Sequence, residues 1–438
     1  MNDAYSRREQ RGWYVYDWAN SAFFTTVVGL FLGPYLTSLA KAAADAQGYV
    51  HPLGLNIDAR SYWSYMVSLS VGLQVLVLPL AGAVADFGRR KKECLAAAAY
   101  LGSAATLLMF FLQGTSYVWG GVLFIVANVS MGASVVVYNS FLPEIAPPEE
   151  RDNVSSKGWA IGYAGGGVLL ALNLLLYTRA DWFGITEAVA VRVSLASAGA
   201  WCALFTIAPL LTLRNRGPAR VLPPGQSALG AAFQQLLHTI ADVRRFPETL
   251  TFLVAYLLYN DAIQAVLSLA TQFGNDELKI PLSLLTMAFL MSQFVGIAGA
   301  LAFDFLAVRI TAKRAIIGSL VIWTIVLVYV YGFVYTTREF FVAVAGVALA
   351  MGGSQALSRS LFAQFIPQGR EAEYYGVYEI TDKGTSWLSP LVFGLVLQFT
   401  HSYRIAILSL IVFFAAGLAV LTRVNVEKGE RDVSLQTG

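Results

Sequence analysis

The chain has 438 residues, of which 57% are hydrophobic and 13% are charged, and its formal net charge is +3. Soluble domains carry about 25% charged residues, so this composition excludes an ordinary soluble globular protein. The small net charge, with no Lys/Arg stripe interleaved with aromatic residues, also excludes nucleic acid as an expected partner. We therefore expect a protein embedded in a lipid bilayer.

Apolar runs of about 20 residues, the length needed to cross a bilayer, recur along the chain. We predict crossings at 13–40, 59–85, 93–113, 117–142, 158–178, 188–213, 248–273, 282–308, 314–335, 339–366, 376–399 and 402–423. The sequence therefore predicts an all-α membrane protein with twelve transmembrane helices. They form two pseudo-symmetric six-helix bundles, an N-terminal one at 1–213 and a C-terminal one, with a short tail, at 247–438.

A polar stretch with three prolines, 214–246, separates the two predicted bundles and is the expected linker. Its apolar residues recur at helical spacing, which fits an amphipathic helix on the cytoplasmic membrane face and a plain connector helix equally well. Most loop Lys and Arg residues fall on the side of the N-terminus, and cytoplasmic loops are enriched in these residues. We therefore expect both termini in the cytoplasm and a location in a bacterial inner membrane.

The two halves contain related segments. An offset of 220 residues pairs Gly132 with Gly352, Ser134 with Ser354, Ser140 with Ser360 and Pro147 with Pro367. More loosely, Tyr16, Asp17, Asn20 and Ala22 resemble Tyr259, Asp261, Gln264 and Ala265 in type and order. Many transporters are built from such repeats, with the binding site at their interface. We expect parallel repeats, one in each half.

The first candidate site is in the first crossing, where Asp17 and Asn20 share one helical face next to Tyr16. An ionisable side chain inside the membrane costs at least a few kcal/mol and is retained where it has a function. Because Asp17 lies only a few residues after Arg11, it could instead be an interfacial residue that reaches back to water. Both interpretations stay open at this point.

The second candidate site is in the seventh crossing and contains Tyr259, Asn260, Asp261 and Gln264. These residues lie about fourteen residues beyond Pro247, or roughly 20 Å along a helix, which is too deep for a side chain to reach water at the interface. A structural hydrogen bond between helices is the alternative. We expect Asp17 and Asp261 to face a shared wet cleft between the two bundles.

Two further groups of residues are predicted to gate the carrier. Gly82, Asp86, Gly88, Arg89 and Arg90 lie in the short loop between the second and third crossings, where glycines permit a tight turn and Asp86 can meet a helix N-terminus or a cation.

The other gating group, Glu379, Asp382 and Lys383, begins the eleventh crossing. Glu379 and Lys383 have the spacing of an ordinary local ion pair. In the tenth crossing, Gln355 and Arg359 are candidate substrate-binding residues. Arg359 needs an anion, which could be Glu379, Asp382 or a carboxylate on the substrate.

Several motifs resemble a known family. The GxxxDxGRR element from Gly82 to Arg90 resembles the loop motif of the major facilitator superfamily, one residue shorter than usual between Asp86 and Gly88. The strings WYVYDWANSAF, YNSFLPEIAPPEER, LYND, GGSQALSRSLFAQFIP and YEITDKGTSW, which begin at Trp13, Tyr138, Leu258, Gly352 and Tyr378, are similar to one branch of that superfamily. This branch contains the fungal vacuolar amino-acid effluxers and their bacterial relatives.

The resemblance implies a two-bundle carrier that alternates between inward-open and outward-open states, and the fungal members imply export of neutral amino acids. The sequence has no nucleotide-binding P-loop, no HExxH and no GxSxG, so we expect neither an enzyme nor a primary pump. Cys94 and Cys202 offer no disulfide framework or metal spacing, and no cofactor or metal is expected.

We expect a monomeric secondary active transporter of a small polar solute, with proton-coupled efflux. The three histidines lie in loops or at helix ends, so any intramembrane proton relay must use carboxylates, Asp261 before Asp17. Two other functions stay open. A lipid or lipophilic-compound flippase would use the same bundles with a more apolar cavity, and a non-transporting membrane sensor would carry an extra soluble domain.

Overall fold

The structure is a computed structural model that describes residues 7–87, 90–146, 151–216, 230, 234, 244–366, 378, 381 and 386–434. The chain divides into two compact units, Met1–Gln234 and Gln235–Gly438. This division falls inside the predicted linker 214–246. Most of that linker, including nearly all of its predicted amphipathic helix, lies outside the described residues, so the helix stays a prediction.

The described part of the N-terminal unit contains six long helices. They are α1 (Arg7–Ala43), α2 (Tyr62–Phe87), α3 (Lys91–Leu108), α4 (Tyr117–Asn139), α5 (Arg151–Thr178) and α6 (Glu187–Thr212). The fourth predicted crossing, 117–142, ends earlier than expected at Asn139, because a separate short turn of helix, Leu142–Ile145, begins with a proline in its first turn.

The C-terminal unit contains α7 (Pro247–Asp276), α8 (Leu282–Ile310), α9 (Ala312–Phe333), α10 (Thr337–Ala363), α11 (Leu388–Thr400), α12 (Tyr403–Arg423) and α13 (Val426–Ser434). Helix α7 begins with Pro247 at the position that a helix start tolerates. Helix α10 begins with a capping box, in which Thr336 and Glu339 exchange side-chain-to-backbone hydrogen bonds.

Eleven helices in the described part of the chain, α1 to α10 and α12, are long and apolar enough to cross a membrane. The predicted crossing 376–399 corresponds to α11, which has 13 described residues and is shorter than a full crossing. The predicted all-α membrane fold is confirmed, whereas the count of twelve crossings is not. The predicted crossing 402–423 consists of two helical pieces, Tyr403–Ser409 and Ile411–Arg423.

Helix α1 packs mainly on α5 and α6 and is not a uniform α-helix. Tyr16, Ala19, Phe23 and Val27 are all fully buried along it. The stretch Phe23–Phe31 has the wider π-helical turn, a local feature that often occurs at functional sites. At its start the Thr25 hydroxyl donates to the carbonyl of Ser21 at 3.0 Å.

A small β-hairpin connects α1 to α2. Strands β1 (Tyr49–Val50) and β2 (Ile57–Asp58) pair antiparallel, and Asp45 accepts hydrogen bonds at 2.9 Å from the backbone N–H groups of Gln47 and Tyr49. The hydrogen bond from Tyr49, followed by those from His51 and Gln47, lowers the pKa of Asp45 below its ordinary value. Neither strand was predicted from the sequence.

Candidate functional site

The first polar cluster of the N-terminal unit joins α1 to α4. The hydroxyl of Tyr16 donates to the Ser134 hydroxyl at 2.5 Å, and both side chains are fully buried. The Trp13 ring stacks on the Tyr138 ring with 4.3 Å between centroids, and its indole N–H donates to the Tyr138 carbonyl at 3.1 Å. The predicted polar face of α1 therefore lies against α4.

Asp17 belongs to the same cluster. Its Oδ2 accepts a hydrogen bond of 2.7 Å from the Tyr138 hydroxyl, and the residue is half-buried. Helix α5 passes directly over this carboxylate, since a Cβ added at Gly158 would lie 2.4 Å from Oδ2. Asn20, predicted on the same face, is 6% exposed. The carboxylate is therefore held in place from two helices while part of the residue stays accessible.

Glycines explain how α5 comes so close to α1. A Cβ at Gly162 would meet the Ser21 hydroxyl at 2.7 Å, and one at Gly165 would lie 2.4 Å from the Trp18 carbonyl oxygen. Small residues allow such close approach between membrane helices. Gly167 differs, because nothing lies within 4 Å of the position that its Cβ would take.

A second buried polar network of this unit joins α2 to α4, and the sequence reasoning missed it. The Gln74 amide donates to the Asn128 carbonyl, and the Asn128 amide donates to the Ser70 hydroxyl, both at 2.9 Å. Gly132 faces Gln74, whose amide atoms would lie 3.1–3.2 Å from an added Cβ. Amide side chains inside apolar runs were the available signal, and they indicate interhelical hydrogen bonds.

In the C-terminal unit, α7 contacts α10 through similar chemistry. The Tyr259 and Ser358 hydroxyls form a hydrogen bond of 2.5 Å, and both residues are fully buried. The offset of 220 residues pairs Ser134 with Ser354, whereas the bonded serine is Ser358, one turn further along α10. The tyrosine-to-serine contact is thus present in both units, shifted by one helical turn.

Asp261 has a different environment from Asp17. It is 1% exposed, and its Oδ2 accepts a hydrogen bond of 2.9 Å from the backbone N–H of Ser389 in the first turn of α11. Its Oδ1 has no hydrogen-bond donor among the described residues. The carboxylate binds the N-terminus of a helix, where unpaired N–H groups favour an anion. That Asp261 faces a wet cleft stays a prediction.

The different partners of the two carboxylates have a geometric reason. Asp17 follows Tyr16 by one residue, whereas Asp261 follows Tyr259 by two residues. Each residue turns the helix by about 100°, so the two carboxylates point in different directions when the tyrosines are matched. The sequence comparison paired the carboxylates by type and order, and it missed this rotation.

The other predicted binding residues occupy α7 and α10. Asn260 is buried at 1% exposure, Gln264 and Gln355 are half-buried, and Arg359 is exposed in the penultimate turn of α10. Their roles in substrate binding stay predictions.

The predicted gating residues are only partly within the described part of the chain. Gly88, Arg89, Glu379, Asp382 and Lys383 lie outside the described residues, as does the side chain of Asp86, which belongs to the last turn of α2. Gly82 packs on α4, with the Val136 side chain 3.3 Å from an added Cβ, and Arg90 is exposed just before α3.

Next to this loop lies an ion-pair network that the sequence reasoning missed. The ammonium group of Lys91 is 2.6 Å from the Glu144 carboxylate, and Lys91 is 2% exposed. Glu144 is also 3.8 Å from the guanidinium of Arg216, which forms a 2.7 Å ion pair with Glu9. Since Glu9 is 2% exposed, a buried acid and a buried base are both neutralised here.

We use the term helix clasp for the contacts of Glu9 and Gln10 with the ends of α4 and α6. Glu9 accepts a hydrogen bond from the Arg214 backbone N–H at 3.1 Å, just after α6. The Gln10 amide donates to the Ile145 carbonyl at 2.9 Å, just after α4. The start of the first helix is thereby tied to the ends of the fourth and sixth.

An equivalent clasp exists in the C-terminal unit. Glu248 accepts a hydrogen bond of 2.7 Å from the Asn425 backbone N–H, just after α12. It also forms an ion pair of 3.1 Å with Lys428. The Thr249 hydroxyl donates to the Phe365 carbonyl at 3.4 Å, just after α10. The sequence signal was an acidic residue at the start of the first predicted crossing of each half, or a few positions before it.

Within the described residues no group of His, Cys, Asp or Glu side chains could hold a metal ion. The polar groups that the structure brings together are carboxylates, hydroxyls and amides inside apolar helices. This combination of fold and polar clusters defines a membrane transporter of the major facilitator type. Such a protein has a small-molecule substrate, works in a lipid bilayer and is not an enzyme.

The chain belongs to the family described as "Vacuole effluxer Atg22 like", whose model matches residues 5–434. It is 28% identical to the uncharacterized MFS-type transporter YxiO of Bacillus subtilis, over 98% of this chain and 97% of that protein. It is 27% identical to autophagy-related protein 22 of Pyricularia oryzae, over 97% of this chain and 77% of that protein. The predicted membership of this branch is confirmed.

Solved transporter structures share the fold. The nucleoside transporter NupG has a TM-score of 0.70 and 14% identity, over 97% of this chain and 99% of that one. A bacterial homologue of the human lysosomal transporter Spinster has a TM-score of 0.67 and 14% identity, over 99% of this chain and 98% of that one. The xylose transporter XylE of E. coli has a TM-score of 0.66 and 12% identity, over 97% of this chain and 98% of that one.

Proposed function

We propose that this protein exports a small polar solute, with neutral amino acids or related metabolites as the substrate class, by proton-coupled alternating access. The observation that carries the proposal is Asp17, a half-buried carboxylate inside a membrane-spanning helix that the Tyr138 hydroxyl holds at 2.7 Å. A carboxylate in this position is costly and is retained for function. It suits the ammonium group of an amino acid as a charge-assisted hydrogen-bond partner.

The two carboxylates have separate roles in this proposal. Asp17, the more accessible one, binds the substrate ammonium group, and the neighbouring aromatic rings of Trp13 and Tyr138 provide apolar walls. Asp261, enclosed next to the start of α11, exchanges the coupling proton. Protonation removes the negative charge that favours the α11 N-terminus, so proton binding weakens the contact between α7 and α11.

The family description, a vacuole effluxer, supports export as the direction. The excess of Lys and Arg on the N-terminal side supports a bacterial inner membrane location with both termini in the cytoplasm. The protein then works as a monomer. It moves solute out of the cytoplasm while protons flow inward.

The first experiment identifies the substrate class with purified full-length protein. Amino acids, peptides, sugars and lipids are compared for thermal stabilisation, since a ligand that binds the folded state raises the unfolding temperature. Stabilisation by neutral amino acids supports the proposal. Stabilisation by lipids alone contradicts it and favours a flippase. Stabilisation by sugars or peptides alone contradicts neutral amino acids as the substrate class and indicates the stabilising class instead.

The second experiment assigns the carboxylates in proteoliposomes. Asp17→Asn should weaken substrate binding at least tenfold and slow counterflow accordingly. Asp261→Asn should abolish pH-driven accumulation and leave counterflow exchange intact. Asp181→Asn, which changes an exposed acid after α5, is the matched control and should behave like wild type.

Full counterflow in Asp17→Asn would remove Asp17 from the proposed site. Full pH-driven accumulation in Asp261→Asn would remove Asp261 from the coupling step. Gly158→Ala adds a methyl group 2.4 Å from the Asp17 carboxylate without changing any charge, so it should also weaken binding if this carboxylate contacts the substrate.

A further inference from the structure

One end of the N-terminal unit carries a basic surface that the transport proposal does not use. Its members are the positively charged side chains around the ends of three membrane-spanning helices: Arg7 and Arg11 of α1, Lys92 of α3, and Arg214 just after α6. Arg7, Arg11 and Arg214 are exposed and Lys92 is half-buried. We call these four residues the basic surface.

Hydrogen bonds connect the segments that carry the four residues. The Arg214 N–H donates to Glu9, which lies between Arg7 and Arg11 on α1. The Lys92 N–H donates to the Asn215 side chain at 2.9 Å, and this side chain donates to Glu93 at 2.8 Å. Arg214 and Asn215 thus link the start of α1 to the start of α3.

The described acids of this region neutralise the basic surface only in part. Glu9 is paired with Arg216, and Glu144 is paired with Lys91. Glu93, next to Lys92 in the chain, interacts electrostatically with Arg90 and Lys92, and its carboxylate accepts a hydrogen bond from Asn215. Arg7, Arg11, Lys92 and Arg214 form no ion pair with any other described residue, and Arg90 adds a further exposed positive charge beside them.

The location of Arg7 and Arg11 indicates which anions can reach them. Both belong to the described start of α1, and the acid between them, Glu9, is paired with Arg216. Because all four residues lie at the ends of membrane-spanning helices, the anions available at this level are the phosphate groups of lipids in the adjoining leaflet.

We propose that the basic surface binds anionic phospholipid headgroups and anchors this end of the N-terminal unit to an anionic leaflet. Each Lys or Arg close to such a surface contributes about a fivefold factor in binding. The surface is independent of the transported solute, so a failure of the proposed substrate class leaves this inference unaffected.

The test uses purified full-length protein and native mass spectrometry with equal amounts of phosphatidylglycerol and phosphatidylcholine. Wild type should retain phosphatidylglycerol preferentially. The double variant Arg7→Gln/Arg11→Gln should lose most of this preference, by about an order of magnitude or more for two charges. The control Lys279→Gln/Arg338→Gln removes two exposed cations from other helix ends and should keep the preference.

Thermal unfolding in the two lipids checks that the variant is folded. Phosphatidylglycerol should raise the unfolding temperature of wild type and control more than that of the Arg7→Gln/Arg11→Gln variant, while all three unfold alike in phosphatidylcholine. Equal retention of both lipids by wild type would overturn the proposal, as would an equal loss in variant and control. Inorganic phosphate that displaces phosphatidylglycerol at millimolar concentration would show a free-anion site and also overturn it.

Discussion

The two units have similar contacts between their helix ends, but their membrane carboxylates have different surroundings. Glu9 and Glu248 form equivalent clasps, and Tyr16 and Tyr259 form equivalent bonds to a serine. Asp17 is half-buried and bound by a hydroxyl, whereas Asp261 is enclosed and bound by a helix start. The contacts that hold a unit together recur, while the groups with proposed transport roles have diverged.

The connections after the first helix of each unit also differ. In the N-terminal unit the hairpin of β1 and β2 joins α1 to α2, whereas α7 and α8 are joined by the five residues 277–281. The same helical framework therefore tolerates a larger insertion at this end of the N-terminal unit. Loops lie outside the packed core, where added length has a small energetic cost.

The largest effect is expected where α5 packs on α1. Gly165→Ala places a Cβ 2.4 Å from the Trp18 carbonyl oxygen, and backbone cannot move away as a side chain can. We expect the free energy of unfolding to fall by about 3 kcal/mol. Gly167→Ala, two residues away with nothing within 4 Å, should be neutral or stabilising by up to about 1 kcal/mol. Thermal unfolding in detergent measures both, and equal stability would contradict the observed packing.

The two clasps can be compared directly. Glu9→Gln removes a charge that is 2% exposed and paired with Arg216, whereas the Glu248 side chain is 13% exposed and pairs with a more exposed lysine. We expect a loss of about 2 kcal/mol for Glu9→Gln and about 1 kcal/mol for Glu248→Gln, values reduced for solvent screening. A larger loss for Glu248→Gln in thermal unfolding would break the proposed ranking of the clasps.

The tyrosine-to-serine hydrogen bonds test whether corresponding contacts of the two units contribute equally to stability. Tyr16→Phe and Tyr259→Phe each remove one buried hydroxyl and leave a serine that retains a backbone carbonyl as acceptor. We expect each variant to lose about 1 kcal/mol of stability. If the two losses differ by more than twofold, the contacts are not equivalent. The control Tyr65→Phe changes a half-buried tyrosine of α2 that lies outside both contacts.

The smallest effect concerns the hairpin, which has no counterpart among the described residues of the C-terminal unit. Because the pKa of Asp45 is lowered in the folded protein, its ionised form stabilises the hairpin above the ordinary pKa of an aspartate, about 3.9. This stabilisation is lost as the pH falls through the lowered value. We expect faster hydrogen exchange at Gln47 and Tyr49 in acid, after correction for the intrinsic rate. Asp45→Asn should make exchange there less sensitive to pH.

Sequence patterns predicted most of the fold. Long apolar runs at recurring spacing predicted the crossings, since a backbone in lipid must bond to itself and therefore forms helices. The predicted starts of α4, α7 and α8 agree with the structure within one residue. The motifs beginning at Trp13 and Tyr138 correctly indicated the family, and the structure brings these two segments into contact through Trp13, Asp17 and Tyr138.

The candidate site was predictable only in part. Asp17 and Asp261 were recognisable because carboxylates are rare inside apolar runs. Their partners were not, because Tyr138 is 121 residues from Asp17 and Ser389 is 128 residues from Asp261. Periodicity describes one helix at a time and carries no information about which neighbour a given face meets. For the same reason Gln74 and Asn128 were missed.

The sequence by itself determined the membrane environment, the helical class and the family, because each follows from local composition and spacing. Tertiary structure alone decided that Asp17 contacts a hydroxyl on α4 and that Asp261 contacts the start of α11. It also decided that each clasp, Glu9 with Gln10 and Glu248 with Thr249, ties three helix ends together. These contacts depend on the rotation of each helix about its axis. A shift of one residue turns a side chain by about 100°, which is enough to change its partner.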